Sequence, residues 1–286
     1  MDLKSNVYSQ AGEDGVIEKI LGLLPVKDKW CVEFGAWDGK YLSNTRNLIE
    51  HHGYSAAMIE GSKSKFKELK ANYADNPKVY PINAFVGFDQ RTNLDKILAD
   101  VPIPADFDFL SIDIDGNDYH VWKAMSTLKP KLVVIEFNPT ISNEVKFVQE
   151  ADGRVNQGSS LAALVDLAKE KGYELVAVLP WNAFFIRSEY FSLFGIEDNS
   201  PETLRTDVSL VTHLFVGFDG HVFLQGSRRL PWHDMNLNEA DIQPIPRFLR
   251  KHPGTYNKVE KGLFLLFKHP AKLIRNLGQL VKRKLR

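Results

Sequence analysis

Trp30-Cys31-Val32-Glu33-Phe34-Gly35-Ala36-Trp37-Asp38-Gly39 decides how this chain is read. Its first half is a short apolar run bounded by charges, as expected of a buried parallel strand. Its second half breaks into glycine and small residues ahead of a helix predicted over 43–52. A strand that turns on glycines into a helix sets bare backbone N–H groups at the carboxyl edge of a sheet, where open α/β sheets bind nucleotides. Glu33 and Asp38 are poor choices beside a phosphate, which carboxylates repel. They suit a cationic guest.

Ser55-Ala56-Ala57-Met58-Ile59-Glu60-Gly61 reads as the next strand. Glu60 ends it about 20 residues beyond the loop, where a carboxylate accepts both hydroxyls of a ribose. The spacing Glu-x-Gly-x-x-Asp-Gly resembles the first motif of class I S-adenosylmethionine (SAM)-dependent methyltransferases, whose cofactor carries a sulfonium and an amine. Gly35 and Gly39 alone would serve equally well to shape a strand–helix turn. The acid at Glu60 is what favours a nucleoside.

Beyond this pair, strands are predicted over 78–82, 107–112, 131–136, 173–179 and 182–187, and helices over 63–72, 92–99, 118–127 and 159–171. Alternation at this pitch implies an α/β, doubly wound parallel sheet with right-handed crossovers. Pro180-Trp181-Asn182 is too short to cross over between parallel strands, so the last two strands form an antiparallel hairpin. Seven strands closing in such a hairpin is the Rossmann-like methyltransferase variant of this fold, which a nicotinamide-dependent dehydrogenase would not share. The long polar connection 137–158 is expected to wall the acceptor pocket. Ser9-Gln10-Ala11-Gly12-Glu13-Asp14 precedes an amphipathic helix, where Glu13 and Asp14 suit the helix dipole. The same segment is placed to fold over the methionine end of a cofactor.

The second informative stretch is Asp106 to His120. Asp113 and Asp115 leave the fourth strand on one face, and the fifth strand ends in Glu136-Phe137-Asn138. Adjacent strand ends would gather these groups beside the cofactor. There they could orient its ammonium, act as a base, or hold a divalent metal. Asp118 and Gly116 fit a turn and a helix cap. Asp113 and Glu136 follow buried runs, where an unpaired charge is costly. Asp115 and His120 are the candidate bases.

Taken together, Ser9-Gln10-x-Gly-Glu-Asp, Val32-Glu33-Phe34-Gly35-Ala36-x-Asp38-Gly39, Ser43-Asn44-Thr45, Ile59-Glu60 and Ile112-Asp113-Ile114-Asp115-Gly116 resemble the FkbM family of SAM-dependent methyltransferases, over about residues 5–140. The resemblance implies methyl transfer to a hydroxyl, on a carbohydrate, glycolipid or polyketide-like acceptor. It implies Glu33, Gly35, Asp38 and Asn44 at the methionine part, Glu60 at the ribose, and Asn83 and Ala84 near the adenine. Gln10, Ala36, Gly39, Gly61 and Asp113 complete the expected cofactor set. Related sugar O-methyltransferases hold Mg2+ at the ends of the fourth and fifth strands, a place occupied here by Asp115, Glu136 and Asn138. The paired aspartates that those relatives carry after the fifth strand are missing.

Composition is that of a soluble globular protein, 44% hydrophobic and 25% charged, with one cysteine, Cys31, in the first strand. No run has the apolar length of a membrane span, and the N-terminus lacks an apolar signal core. A cytoplasmic location follows. The net charge of zero hides an asymmetry: residues 255–286 hold nine Lys or Arg and one acid, Glu260, which leaves −8 on the rest. Pro270 to Arg286 reads as a basic amphipathic helix. It would lie on an anionic membrane surface through residues 258–286, peripheral on the inner face, or dock on the body by its apolar side. Nucleic acid fits less well, because the basic residues lack interleaved aromatics. The expected organisation is a methyltransferase domain over 1–188, a β-rich element over 189–254 and a basic tail over 255–286. The rival to an enzyme is a non-catalytic SAM-fold module that binds a membrane or a protein partner.

Overall fold

The computed structural model describes residues 5–25 and 27–268. The chain divides into two compact units after Val208. The first is built on a seven-stranded sheet: β1 (Trp30–Phe34), β2 (Ser55–Glu60), β3 (Val79–Asn83), β4 (Phe109–Ile112), β5 (Leu132–Glu136), β6 (Tyr173–Val178) and β7 (Asn182–Arg187), in the order β3-β2-β1-β4-β5-β7-β6. The first five strands are parallel, in a register that sets Val32 between Ala57 and Leu110. β7 runs antiparallel to both of its neighbours, β5 and β6. Strand order reverses beside β1, so the cleft at the carboxyl ends of β1 and β4 is the topological switch point of the sheet.

Both sheet faces are buried, which is why these strands are apolar on both sides. One face packs Val32, Phe34, Leu110 and Val133 against Trp122 and Leu164, from α5 (Asp118–Ala124) and α6 (Leu161–Lys171). The other packs Cys31, Met58, Phe109 and Val134 against Ile17 and Leu48, from α1 (Glu13–Leu23) and α2 (Arg46–His52), and against Leu69 of α3 (Lys63–Asn72). Cys31 is fully buried, and burial raises its thiol pKa well above the ordinary range.

Several elements are shorter than their patterns predict. The helix expected over 43–52 starts at Arg46, because Ser43, Asn44 and Thr45 bond to Glu33 instead of extending the helix. The helix expected over 92–99 is a single turn, α4 (Leu94–Ile97), capped by the Asn93 side chain on the Lys96 N–H. β4 begins at Phe109, because Asp108 accepts the backbone N–H groups of Asp28 and Lys29 and the Lys131 ammonium.

The first unit continues past residue 188. A 3-10 segment, Ser188–Phe194, sets Phe191 and Phe194 against the sheet, and α7 (Pro201–Leu204) follows. Arg205 then donates to the carbonyls of Ile141 and Pro139. The second unit holds two small hairpins, β8 (Thr212–Val216) with β9 (Val222–Gly226) and β10 (Arg229–Leu230) with β11 (Met235–Asn236), and then α8 (Lys258–Lys268). The helix expected over 270–286 lies outside the described residues. Among the described residues no helix is long and apolar enough to cross a membrane.

Candidate active site

A cavity of about 890 Å3 opens at the carboxyl edge of β1, β2 and β4. That volume lies toward the upper end of ligand sites, roughly 300–1,000 Å3. Of the expected cofactor residues, Gln10, Glu33, Gly35, Ala36, Asn44, Glu60, Gly61, Ala84 and Asp113 line it, as does Asp115. Asp38, Gly39, Asn83, His120, Glu136 and Asn138 do not.

The turn after β1 explains the first group. Gly35 has φ +75°, and a β-carbon there would sit 2.0 Å from the Asp113 carbonyl oxygen. Only glycine lets the two strand ends approach this closely. Ala36 then donates to the Ile59 carbonyl, and the Trp37 N–H donates to Glu60 Oε2 at 2.8 Å. Glu60 Oε1 accepts the Ser62 N–H at 2.6 Å. A carboxylate has about four lone-pair sites, so two remain for hydroxyl donors. Glu33 accepts Ser43 Oγ, Thr45 Oγ1 and the Asn44 N–H within 2.8 Å. Burial raises its pKa, and these three bonds partly offset the rise. Asn44 in turn reaches Ser111 of β4 at 3.1 Å. Glu33 therefore organises the 43–45 wall as well as lining the cavity.

Asp38, expected at the methionine part, stands outside the cavity lining. Its Oδ1 accepts the Lys40 and Tyr41 N–H groups at 2.9 and 2.8 Å, an Asx-type turn that carries Tyr41 to the cavity. Partial burial opposes ionisation there, but the two N–H bonds and the Lys65 charge outweigh it and lower the pKa. Gly39 is buried against Leu69 and Tyr73, where a β-carbon would meet side-chain atoms at 2.4 and 2.8 Å. Asn83 is exposed and ties down the end of β2 by donating to the Glu60 carbonyl at 2.7 Å.

At the carboxyl ends of β4 and β5, carboxylate oxygens of Asp113, Asp115 and Glu136 all lie within 4.8 Å of one another. Strand alternation does not bring the two aspartates together, because β4 stops at Ile112 and Asp115 has φ +55°. The turn is held by Asp118, whose carboxylate accepts the Ile114 and Gly116 N–H groups at 3.0 and 2.9 Å. Loss of water first, and then the charges of Asp118 and Asp115, raise the pKa of Asp113. Burial and Asp113 do the same to Glu136. Asp113 keeps an exposed face toward the cavity, so for it the mutual repulsion is the firmer cause. Asp113 and Glu136 therefore hold a proton more readily than isolated carboxyls do.

His120 and Asn138 also stand outside the cavity lining. His120 faces the 137–158 connection: its Nε2 lies 2.8 Å from the Gln149 carbonyl and must donate to it. Its ring packs on Phe88 and Tyr119. Asn138 donates its amide N–H to the Gln157 carbonyl and accepts from Thr140, and Asp113 stands with Asp115 and Glu136. The 137–158 connection does reach the cavity, through Gly153 and Asn156. Gln149, buried, holds it in shape by accepting the Gln157 and Gly158 N–H groups.

Sequence reasoning missed Tyr41, Leu42, Phe85, Phe88 and Asn117, which also line the cavity. Phe85 is 79% exposed and Tyr41 66%. Apolar residues in Ala84-Phe85-Val86-Gly87-Phe88, beyond the last residue of β3, were the available signal. Asn117 donates to the Asp152 and Val155 carbonyls, and its buried Oδ1 has no partner among the described residues.

A sheet of this strand order, with its one reversed strand inside the closing hairpin and an acid-lined cleft at its switch point, is the class I SAM-dependent methyltransferase fold. Residues 42–175 match the family model described as "Methyltransferase FkbM domain", and the chain carries that domain. The chain is similar to the N-terminal domain of EvdMO1, solved in the presence of SAH and D-fucose, at 11% identity over 61% of this chain and 82% of that one, with a TM-score of 0.41. It is also similar to a SAM-dependent methyltransferase from Aquifex aeolicus (12% identity, 59% and 87% of the chains, TM-score 0.36) and to the citrinin polyketide synthase CMeT domain (13%, 60% and 50%, 0.41). At these values the likeness says nothing of substrate. No curated protein matches the chain.

Proposed function

We propose that this protein transfers the methyl group of SAM to a hydroxyl of a carbohydrate, glycolipid or similar polyol. The observation that carries this reading is the group of Asp113, Asp115 and Glu136, with oxygens within 4.8 Å of one another, two of whose members share a cavity with Glu60 and the Gly35 turn. The donor set fits SAM. The free acceptor sites on Glu60 suit ribose hydroxyls. Glu33, which lines the cavity, is partnered by neutral donors, so no cation of the protein is bonded to it there.

When bound, SAM supplies a methyl on a sulfonium, whose sulfur leaves as a neutral thioether as the new O–C bond forms. The work left to the protein is alignment and removal of one proton. Asp115, at the cavity and free of strand geometry, is the group assigned to take the hydroxyl proton, and Asp113 and Glu136 share its charge. A divalent ion held by the same three oxygens would instead acidify the hydroxyl. Exposed rings of Tyr41 and Phe85 at the cavity support an acceptor with apolar ring faces, as sugars have.

The test is transfer of a labelled methyl from SAM to a panel of glycan and polyol extracts, with and without Mg2+, by wild type and Asp115→Asn. The expected product is a methyl ether formed by wild type alone. SAM binding with no turnover on any extract would favour the non-catalytic module.

A further inference from the structure

The second unit carries charge and apolar surface of a kind that the catalytic fold does not need. Residues 209–286 hold fourteen Lys or Arg against five acids, a net +9, so the remainder of this net-neutral chain stands at −9. Helix α8 is stabilised locally by a reciprocal cap: Asn257 Oδ1 accepts the Glu260 N–H, and Glu260 Oε2 accepts the Asn257 N–H. Yet none of its residues is buried. Val259, Leu263, Leu266 and Phe267 recur at helical spacing on one stripe, with Lys261 and Lys268 opposite. Val259 is 70% and Phe267 51% exposed.

The β8–β9 hairpin shows the same mismatch. The outer edge of β9 is covered, since Glu239 and Gln243 accept the Leu224 and Val222 N–H groups, and both of those side chains are buried. β8 is paired on one side only among the described residues. Leu214, Phe215 and Val216 are more than half exposed, and Phe218 in the turn is 94% exposed.

We infer that residues 209–268 dock the protein on an anionic lipid bilayer. The Phe218 end of the hairpin and the apolar stripe of α8 enter the interface while lysines and arginines face the headgroups. Beyond Lys268 the sequence adds six Lys or Arg, interleaved with Leu273, Ile274, Leu277 and Leu280, and no acid. A second copy would set +9 against +9. A nucleic acid would match the charge but leave Leu214, Val216 and Leu266 against phosphates. A bilayer satisfies both charge and apolar surface. The inference stands apart from the methyl-transfer reading.

Flotation of the full chain with vesicles tests it. Recovery is expected with mixed phosphatidylcholine–phosphatidylserine vesicles and not with phosphatidylcholine alone. Phe218→Asp and the double variant Leu266→Glu/Phe267→Glu should each reduce recovery roughly tenfold or more, with circular dichroism and SAM affinity unchanged as proof of folding. Recovery indifferent to anionic lipid would overturn the inference. So would unaltered recovery of both variants, or a stable dimer that they abolish.

Discussion

The Trp37 N–H donates to Glu60 Oε2 at 2.8 Å, which locks the turn after β1 to the end of β2. The carboxylate thus fixes the cavity wall and still offers acceptor sites to a nucleoside. Hydrogen bonds to charged groups contribute about 1.5–3 kcal/mol, so Glu60→Ala should weaken SAM binding roughly tenfold to a hundredfold. Glu60→Gln, which keeps one acceptor oxygen, should fall between. Calorimetric titration of the three proteins checks the order.

Asp38 behaves differently, because its oxygen is spent on the Lys40 and Tyr41 N–H groups. Asp38→Ala should cost about 1–2 kcal/mol of stability, read as a lower Tm. Asp38→Asn, which can form the same turn, should cost little. Loss of SAM affinity in Asp38→Asn at unchanged Tm would restore a direct role for the carboxylate.

Gly35→Ala should be severe. A β-carbon 2.0 Å from a backbone carbonyl oxygen cannot be accommodated by a side-chain rotation, and φ +75° adds strain. A large Tm loss is expected, whereas Gly22→Ala, with open space around it, should be neutral or mildly stabilising.

The acid group gives a pH signature. Asp113 and Glu136 have raised pKa values in the folded protein, from loss of water and then from neighbouring charge: Asp118 and Asp115 beside Asp113, and Asp113 beside Glu136. Between the unfolded carboxylate pKa of about 4 and those raised values, the folded state holds protons that the unfolded chain has released. The contribution of these two groups to the stability of the ligand-free protein is therefore greatest below that window and falls as pH rises through it. Asp113→Asn should flatten the decline and raise Tm at alkaline pH. Parallel Tm-versus-pH curves for wild type and variant would contradict the coupling. Added Mg2+, if it binds these oxygens, should also flatten the curve.

How far the sequence could be read follows from what each residue answers to. Strand positions, the binding edge after the first strand and the closing hairpin at 180–182 were legible, because periodicity and connection length constrain a backbone strongly. Glu33, Glu60, Asp113 and Asp115 were legible as cavity residues because each ends or follows a buried strand. Asp38, His120 and Asn138 were not, since each sits in a turn, a short helix or a long connection. There a polar side chain can face a ligand or satisfy a nearby backbone group equally well. In this fold the backbone took all three: Asp38 on Lys40 and Tyr41, His120 on Gln149, Asn138 on Gln157 and Thr140. The aromatic residues at 85 and 88 escaped notice because no helical or strand period marks them.

The central claim is that the acid-lined cleft at the switch point receives a nucleoside bearing positive charge. Titrating SAM into wild type and Glu60→Ala, with NADH in parallel, tests it most directly. One SAM per chain, affinity lost in the variant and no response to NADH are predicted. Equal SAM affinity in the two proteins, or no SAM binding at all, would contradict the account.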